Sequence, residues 1–164
     1  LQPLFFGGGQ ERGLRSGTLP SPLCIGLGEA ARIAAHDMTT DAKHLSHLRD
    51  RLLQQLQAGV PDLRINGAMA ERLPHNLNLT FPGVDAQALL ASVPELALST
   101  GSACSSAAVD PSYVLAALGL SEADARSTIR LAIGRPTTAD EVDRAAARLV
   151  SAVQSLRAAR PAAE

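Results

Sequence analysis

The sequence predicts an α/β fold in which short strands alternate with helices. Its 164 residues, of which 46% are hydrophobic and 19% charged, suffice for one ordinary domain with an apolar core. Several short runs alternate apolar and polar side chains with a period of two, which is typical of strands covered on one face. Longer runs repeat apolar side chains every three or four residues, which is typical of helices.

The first part of the chain predicts a loop followed by a buried helix. The segment from Gly7 to Thr18 contains too much glycine for a helix, so we expect an extended loop. Pro20 and Pro22 then open a helical stretch whose apolar residues are spaced so closely that we expect burial on more than one side. These residues are Ile25, Leu27, Ala30, Ala31 and Ile33. A cap or kink is expected at residues 39–41.

An amphipathic helix is predicted next, and it ends at Gly59. Its leucines recur at intervals of three and four residues: Leu45, Leu48, Leu52, Leu53 and Leu56. Residues 63–66 and 77–81 then alternate apolar and polar side chains between proline and glycine boundaries, which predicts two strands. A short helix is predicted from Asp85 to Ser92.

The remaining elements continue the alternation of strands and helices. Residues 96–98 predict a short strand, and a helix is predicted near Ser112 to Leu118. Ile129 to Ile133 is the next strand, and a terminal helix begins at Thr138. One apolar stripe marks that helix: Val142, Ala145, Ala146, Leu149, Val153 and Leu156.

Charge and composition exclude several classes of function. A net charge of -1 and 2% aromatic residues favour neither nucleic-acid binding nor an anionic membrane surface. No apolar run approaches the roughly 20 residues of a membrane span, and no signal-peptide pattern opens the chain. We therefore expect a cytoplasmic protein. The two cysteines, Cys24 and Cys104, have neither disulfide nor metal-site spacing, so free thiols and no metal are expected.

Cys104 lies in the most unusual stretch of the chain, a run of small residues from Ser99 to Ala108 between a strand and a helix. A nucleophilic thiol needs exposure and room for a substrate, and such a loop provides the room. Composition alone leaves the alternative open that Cys104 is an inert residue in a polar loop.

Three segments resemble consecutive signatures of the cysteine desulfurases, members of the class-V aminotransferases. They are Gly7 to Thr18 (GGGQERGLRSGT), Ser99 to Ser106 (STGSACSS) and Ile129 to Thr138 (IRLAIGRPTT), and their order and spacing also match. The resemblance implies the C-terminal part of an aminotransferase-like protein. Residues 1–22 would end the cofactor-binding large domain. Residues 23–164 would form a linking helix and a small domain with a mixed sheet flanked by helices.

The resemblance also implies a reaction and residues that carry it. In a homodimer, pyridoxal 5'-phosphate would activate L-cysteine, and Cys104 would take its sulfur as a persulfide and release alanine. Arg130 matches the arginine that pairs with the substrate carboxylate, a role that suits a planar guanidinium. Thr18 matches the threonine that reaches the cofactor phosphate of the neighbouring subunit. The sulfur would pass to an acceptor protein such as an iron-sulfur scaffold.

Other polar residues are interpreted more simply. Arg12 and Arg15 are expected to anchor the glycine-rich loop, and Cys24 and Asn78 to be core and strand residues without a direct role. The histidines, His36, His44, His47 and His75, match no cofactor-stacking position.

Lys43 is the only lysine, and its setting on the solvent face of a helix is wrong for a Schiff base with the cofactor. The family's lysine would precede Leu1, so we expect a fragment that is inactive alone. Some family members dock an iron-sulfur scaffold protein through a C-terminal extension longer than the tail that ends here at Glu164. We therefore do not expect these residues alone to bind such a scaffold.

Three other functions remain open at the level of the sequence. A selenocysteine lyase-like enzyme would use a similar arginine and loop cysteine. A non-catalytic sulfur-carrier module would accept a persulfide on Cys104 from a partner that holds the cofactor. A purely structural small domain would leave the cysteine incidental.

Overall fold

The computed structural model describes residues 1–100 and 112–159, and these form two compact units. The first unit comprises Leu1–Thr40 and the second Asp41–Glu164. The boundary falls inside one continuous helix, α1 (Ser21–Gly59). The cap expected at residues 39–41 was therefore wrong: neither proline nor glycine lies there, and the helix continues through these residues.

The glycine-rich loop in the first unit folds back on itself. It contains a 3-10 turn at Glu11–Gly13, so the expectation of a purely extended loop was wrong. The backbone N–H of Gly9 donates to Ser16 Oγ at 3.3 Å, and that of Gly17 donates to Gln10 Oε1 at 2.9 Å. Arg12 adopts a left-handed conformation with φ 58°, which costs energy for a residue with a side chain.

The first half of α1 exposes the apolar residues that the sequence predicted to be buried on more than one side. Ile25 and Leu27 are 72% and 73% exposed, and Cys24, also expected in a core, is exposed. The spacing of apolar residues identifies a surface suited to burial but carries no information on what would cover it.

The second unit contains a three-stranded antiparallel sheet in the order β1 (Arg64–Ile65), β2 (Asn76–Thr80), β3 (Thr128–Ala132). All three strands lie where the sequence predicted them. Within the described residues the pairing is antiparallel throughout, not mixed as expected. Residues 96–98 do not form the predicted strand, and only Ser99 makes an isolated bridge, to Arg130.

One apolar core joins the inner face of the sheet to the helices of the second unit. The five leucines predicted on α1, from Leu45 to Leu56, are all buried there. Helix α5 (Ala139–Ala158) contributes Leu149 and Val153, which have no exposed surface. On the sheet, Leu77, Leu79, Ile129 and Leu131 face the same core. The period-two and period-3.6 patterns thus identified the buried faces in this unit.

Side-chain caps start three of the described helices in the second unit. Asp85 accepts from the backbone N–H of Ala88 at 2.9 Å and starts α2 (Ala86–Ser92). Thr138 and Glu141 form a capping box at the start of α5. The remaining helices are α3 (Tyr113–Ala117) and α4 (Glu122–Arg126). The sequence predicted α2, α3 and α5 and missed α4. The cap of α4, in which the backbone N–H of Asp124 donates to Ser121 Oγ, nevertheless has a recognisable spacing.

Helices α1 and α5 are also joined by polar contacts at their solvent edge. Arg51 donates from Nε and Nη2 to the two carboxylate oxygens of Asp143 at 2.6 and 2.7 Å, and Gln55 donates to Oδ1 at 2.6 Å. These hydrogen bonds, Arg51 first and Gln55 second, lower the pKa of Asp143 to about 2. Because Arg51 and Asp143 are partly exposed, we expect this contact to contribute little to stability.

We predict that Gly59→Ala destabilises the protein although alanine favours helices. An added Cβ would lie 2.5 Å from Val150 Cγ2 and 2.6 Å from Cγ1, and valine has little rotamer freedom in a helix. We expect a loss of about 1–3 kcal/mol in urea unfolding. Gly28→Ala, at a helical position with no atom near the added Cβ, should instead stabilise by about 0.5–1 kcal/mol. Equal shifts for both variants would contradict the close packing at Gly59.

Candidate functional site

The sheet has a polar face opposite the core, and Arg130 lies on it. Along β2 the side chains alternate, with Leu77 and Leu79 buried and Asn76 and Asn78 on the other face. Along β3, Arg130 is exposed between buried Ile129 and Leu131. The strand register places Arg130 directly opposite Asn78. The predicted carboxylate-binding residue is thus fixed on a strand, which holds its backbone more rigidly than a loop would.

The backbone of Arg130 is hydrogen-bonded to the segment that leads to Cys104. Arg130 donates its N–H to the carbonyl of Ser99 at 2.6 Å, and Ser99 donates to the carbonyl of Arg130 at 3.4 Å. Ser99 lies five positions before Cys104. Cys104 itself lies outside the described residues.

A chain of hydrogen bonds crosses the polar face beside Arg130. Asn66 Nδ2 donates to Asn78 Oδ1 at 2.8 Å and to Thr80 Oγ1 at 2.9 Å. Thr80 and Thr128 share a hydrogen bond of 2.7 Å between their hydroxyls, and Thr128 donates to the carbonyl of Asp124 at 2.7 Å. The one hydroxyl hydrogen of Thr128 is used in the bond to the Asp124 carbonyl, so Thr80 must be the donor in the bond between the two hydroxyls. Thr80 and Thr128 are almost fully buried, so these bonds satisfy groups that would otherwise be costly to bury.

This hydrogen-bond network was not predicted from the sequence. The alternation from Asn76 to Thr80 indicated a polar face, but it did not show which residues lie opposite, because strand register depends on tertiary pairing. Asn78 lies within β2, as expected from the sequence.

The turn that carries Asn66 is held by Arg72. Its guanidinium donates to the carbonyls of Asn66, Gly67 and Ala68. Burial, and to a smaller extent the positive charge of Arg49, lowers the pKa of Arg72. Gly67 has φ +77°, a left-handed conformation that favours glycine. The position of Asn66 is therefore determined by a hydrogen-bonded turn.

Arg130 is exposed on the polar face of the sheet. Arg126 and Arg135, its neighbours in sequence, pair with Glu122 and Asp41 respectively. Arg130 itself forms no ion pair with any residue in the part of the chain that the structure describes. An exposed arginine fixed on a strand is suited to bind a carboxylate through two parallel hydrogen bonds.

Thr18 belongs to the first unit, in the exposed segment between the glycine-rich loop and α1. Arg15 anchors that loop as expected, by donating to the carbonyls of Ser16 and Gly17 at 3.2 and 3.1 Å. Its guanidinium also lies 5.7 Å from the centre of the Phe5 ring.

This chain does not make a complete pyridoxal phosphate site. Lys43, its only lysine, is exposed on α1 as predicted, so it has none of the burial that would prepare an amine for a Schiff base. Toward a phosphate, the exposed residues of the first unit offer the hydroxyl of Thr18, backbone N–H groups and the guanidinium of Arg12.

Residues 2–145 match the family model described as aminotransferase class-V. The chain belongs to the class-V aminotransferase family. Relatives in this family include proteins named cysteine desulfurase IscS. That of Ectopseudomonas mendocina (strain ymp) is 50% identical over 161 residues, 98% of this chain and 40% of that protein. That of Rickettsia bellii (strain OSU 85-389) is 46% identical over 157 residues, 96% of this chain and 38% of that protein.

Solved structures of class-V aminotransferase relatives share the fold. A protein titled NifS-like superposes with a TM-score of 0.80 at 29% identity, over 95% of this chain and 40% of its own. A NifS-like protein from Rickettsia africae ESF-5 gives a TM-score of 0.76 at 26% identity, over 96% of this chain and 40% of its own. The aminotransferase-like α/β fold is confirmed. The chain spans about two fifths of the length of these relatives.

The class-V aminotransferase family generally uses pyridoxal phosphate. Within the described residues, no helix is both long and apolar enough to cross a membrane.

A groove of about 790 Å³ in the second unit lies away from Arg130. It runs between residues 95–98, the end of β3 and α5. Apolar and charged side chains both line it: Leu52, Leu96, Leu98 and Leu149 together with Glu95, Glu141, Arg144 and Arg148. Arg130 does not line the groove, so the groove is separate from the polar face of the sheet that carries this arginine.

Proposed function

We propose that the chain is the C-terminal part of a pyridoxal-phosphate-dependent cysteine desulfurase. In this proposal Cys104 accepts the sulfur of L-cysteine, and Arg130 binds its carboxylate. Thr18 reaches the cofactor phosphate of the neighbouring subunit in a homodimer. Residues 1–22 close the large domain, and residues 23–164 form the linking helix and small domain. The parent acts in the cytoplasm, and an acceptor protein such as an iron-sulfur scaffold takes the sulfur.

The proposal is supported chiefly by one observation: relatives named cysteine desulfurase are 46–50% identical along nearly the whole chain. Two further observations support it. Arg130 is exposed and forms no ion pair within the described residues. Its backbone is hydrogen-bonded to Ser99, so the proposed carboxylate-binding residue is linked to the segment that leads to Cys104.

The chemistry of the proposed step balances without an added oxidant. The thiolate of Cys104 attacks the sulfur of L-cysteine, and a sulfur-sulfur bond forms. The carbon-sulfur bond of the substrate breaks, and its electron pair stays on Cβ, which takes up a proton to become the methyl group of alanine. When bound in the parent, pyridoxal phosphate supplies an electron sink at the substrate amine carbon.

Arg130 orients the substrate for this step. A bidentate pair between its guanidinium and the substrate carboxylate fixes one end of L-cysteine, so the thiol end meets Cys104 in a limited set of directions. Small side chains surround Cys104 in the sequence, which suits a nucleophilic thiol that must admit a substrate.

The test is to map sulfur on the full-length parent loaded with pyridoxal phosphate. After incubation with L-cysteine, the proteolytic peptide that carries Cys104 should gain the mass of one sulfur atom, and reductant should remove it. The peptide that carries Cys24 should not change, although Cys24 is exposed. Sulfur on Cys24 alone, or on neither peptide while alanine accumulates, would contradict the proposed role of Cys104.

A further inference from the structure

We propose that Asn78, held by Asn66, is a positioning residue that sets the direction of the Arg130 side chain toward the substrate carboxylate. The proposal rests on the function proposed above. It concerns a strand residue with no expected role, and it starts from the register that places Asn78 opposite Arg130.

The two residues form the closer kind of cross-strand pair. Hydrogen bonds at the ends of the ladder, from Ile133 N to the carbonyl of His75 at 3.1 Å and from Phe81 N to that of Ser127 at 2.8 Å, fix the alternation. In this alternation the backbones of Asn78 and Arg130 are not hydrogen-bonded to each other. The backbone of Arg130 is hydrogen-bonded to Ser99 on its other side. In such pairs the Cβ atoms lie about 4.5–5.5 Å apart, so Asn78 flanks the stem of Arg130.

Asn78 is itself immobilised. Its Oδ1 accepts from Asn66 Nδ2 at 2.8 Å, and its backbone carbonyl accepts from the N–H of Asn66 at 2.9 Å. Asn66 is fixed in turn by the contacts of Arg72 with the turn carbonyls. Because Asn78 is held through both its side chain and its backbone, it limits the rotamers that the neighbouring Arg130 side chain can adopt. Arg130 then loses less conformational entropy when it binds a ligand.

The amide is also chemically suited to this position. Because Oδ1 of Asn78 already accepts a hydrogen bond, and the amide carries no charge, Asn78 does not compete with a substrate carboxylate for the guanidinium. An aspartate of the same shape would keep an oxygen for Asn66 but would place an anion beside Arg130.

The experiment uses Asn78→Asp in the full-length, cofactor-loaded parent. We expect KM for L-cysteine to rise roughly tenfold, the size of coupling found between contacting polar groups, with kcat nearly unchanged. The matched control is Asn76→Asp, two residues earlier on the same face, which lies opposite Ala132. Because position 76 is a diagonal neighbour about 7–8 Å from Arg130, Asn76→Asp should raise KM by roughly two- to threefold, clearly less than Asn78→Asp. Equal KM changes in the two variants would overturn the proposal.

A double-substitution cycle separates this inference from the proposed function. Asn78→Ala should raise KM in the otherwise unchanged enzyme but should add nothing to Arg130→Gln, because its effect acts through the arginine. An Asn78→Ala effect that persists in the Arg130→Gln background indicates a general structural role and overturns the inference. If Arg130→Gln alone leaves KM unchanged, the carboxylate role in the proposed function fails instead. Thermal unfolding of each variant identifies any that does not fold. If Asn78→Ala does not fold, the comparison of Asn78→Asp with Asn76→Asp still tests the inference.

Discussion

Substitution of Cys104 by alanine in the full-length parent should abolish both persulfide formation and the release of alanine from L-cysteine. Loss of a covalent nucleophile removes the reacting atom itself, and we expect the rate to fall by roughly a thousandfold or more. The binding of L-cysteine should persist, since the carboxylate contact that we assign to Arg130 remains. The measurement is the rate of alanine formation, with the spectral change on substrate addition as a readout of binding.

Cys24→Ala is the matched control, because Cys24 is the other cysteine of the chain and is exposed. It should retain full activity. Alanine formation that survives Cys104→Ala, with selenocysteine turned over faster than cysteine, would favour a selenocysteine lyase-like enzyme. Persulfide on Cys104 only when a separate cofactor-bearing protein is added would favour a sulfur-carrier module.

Elements whose cause is local were predictable from the sequence. The leucine stripe from Leu45 to Leu56 lies on one helical face whatever packs against it, and it is buried as predicted. Thr138 and Glu141 form a capping box from their spacing alone. The short helix at Glu122–Arg126 was missed, because it buries only Ala125 and therefore carries no apolar stripe.

Features that depend on a distant partner were not predictable. Residues 96–98 have the pattern of a strand, but a strand needs a neighbour in register, and only Ser99 pairs with β3. The apolar residues near Ile25 predicted burial, and their exposure shows that hydrophobicity identifies a surface to be covered without identifying its cover. In both cases the sequence does not show which distant segment of the protein packs against these residues.

The candidate site divides in the same way. The motif of β3 placed Arg130 on a strand, and the alternation of that strand predicted which of its residues are buried. The neighbours of Arg130 across the sheet followed only from the register, which brings Asn78, and through it Asn66, next to the arginine. A polar network of this kind leaves in the sequence only a run of asparagines and threonines at every second position.

Substitution of Arg130 by glutamine in the full-length parent should lower kcat/KM for L-cysteine by roughly a hundredfold or more. Removing one partner of a charged, hydrogen-bonded pair costs several kcal/mol, because the other charge is left without a partner in the site. Most of the loss should appear in KM, since the carboxylate is bound equally in the ground state and the transition state. Steady-state kinetics of alanine formation measures both constants.

Arg130→Lys distinguishes a bidentate contact from a simple positive charge. Lysine keeps the charge but lacks the planar fork of donors, so a bidentate pair predicts that it restores little of the lost activity. Arg126→Gln is the control, since Arg126 is also exposed and pairs with Glu122 on its own helix, and it should leave kcat/KM nearly unchanged. Full activity in Arg130→Lys would mean that the site recognises charge alone. Full activity in Arg130→Gln would remove the carboxylate contact from Arg130 and, with it, the positioning role of Asn78.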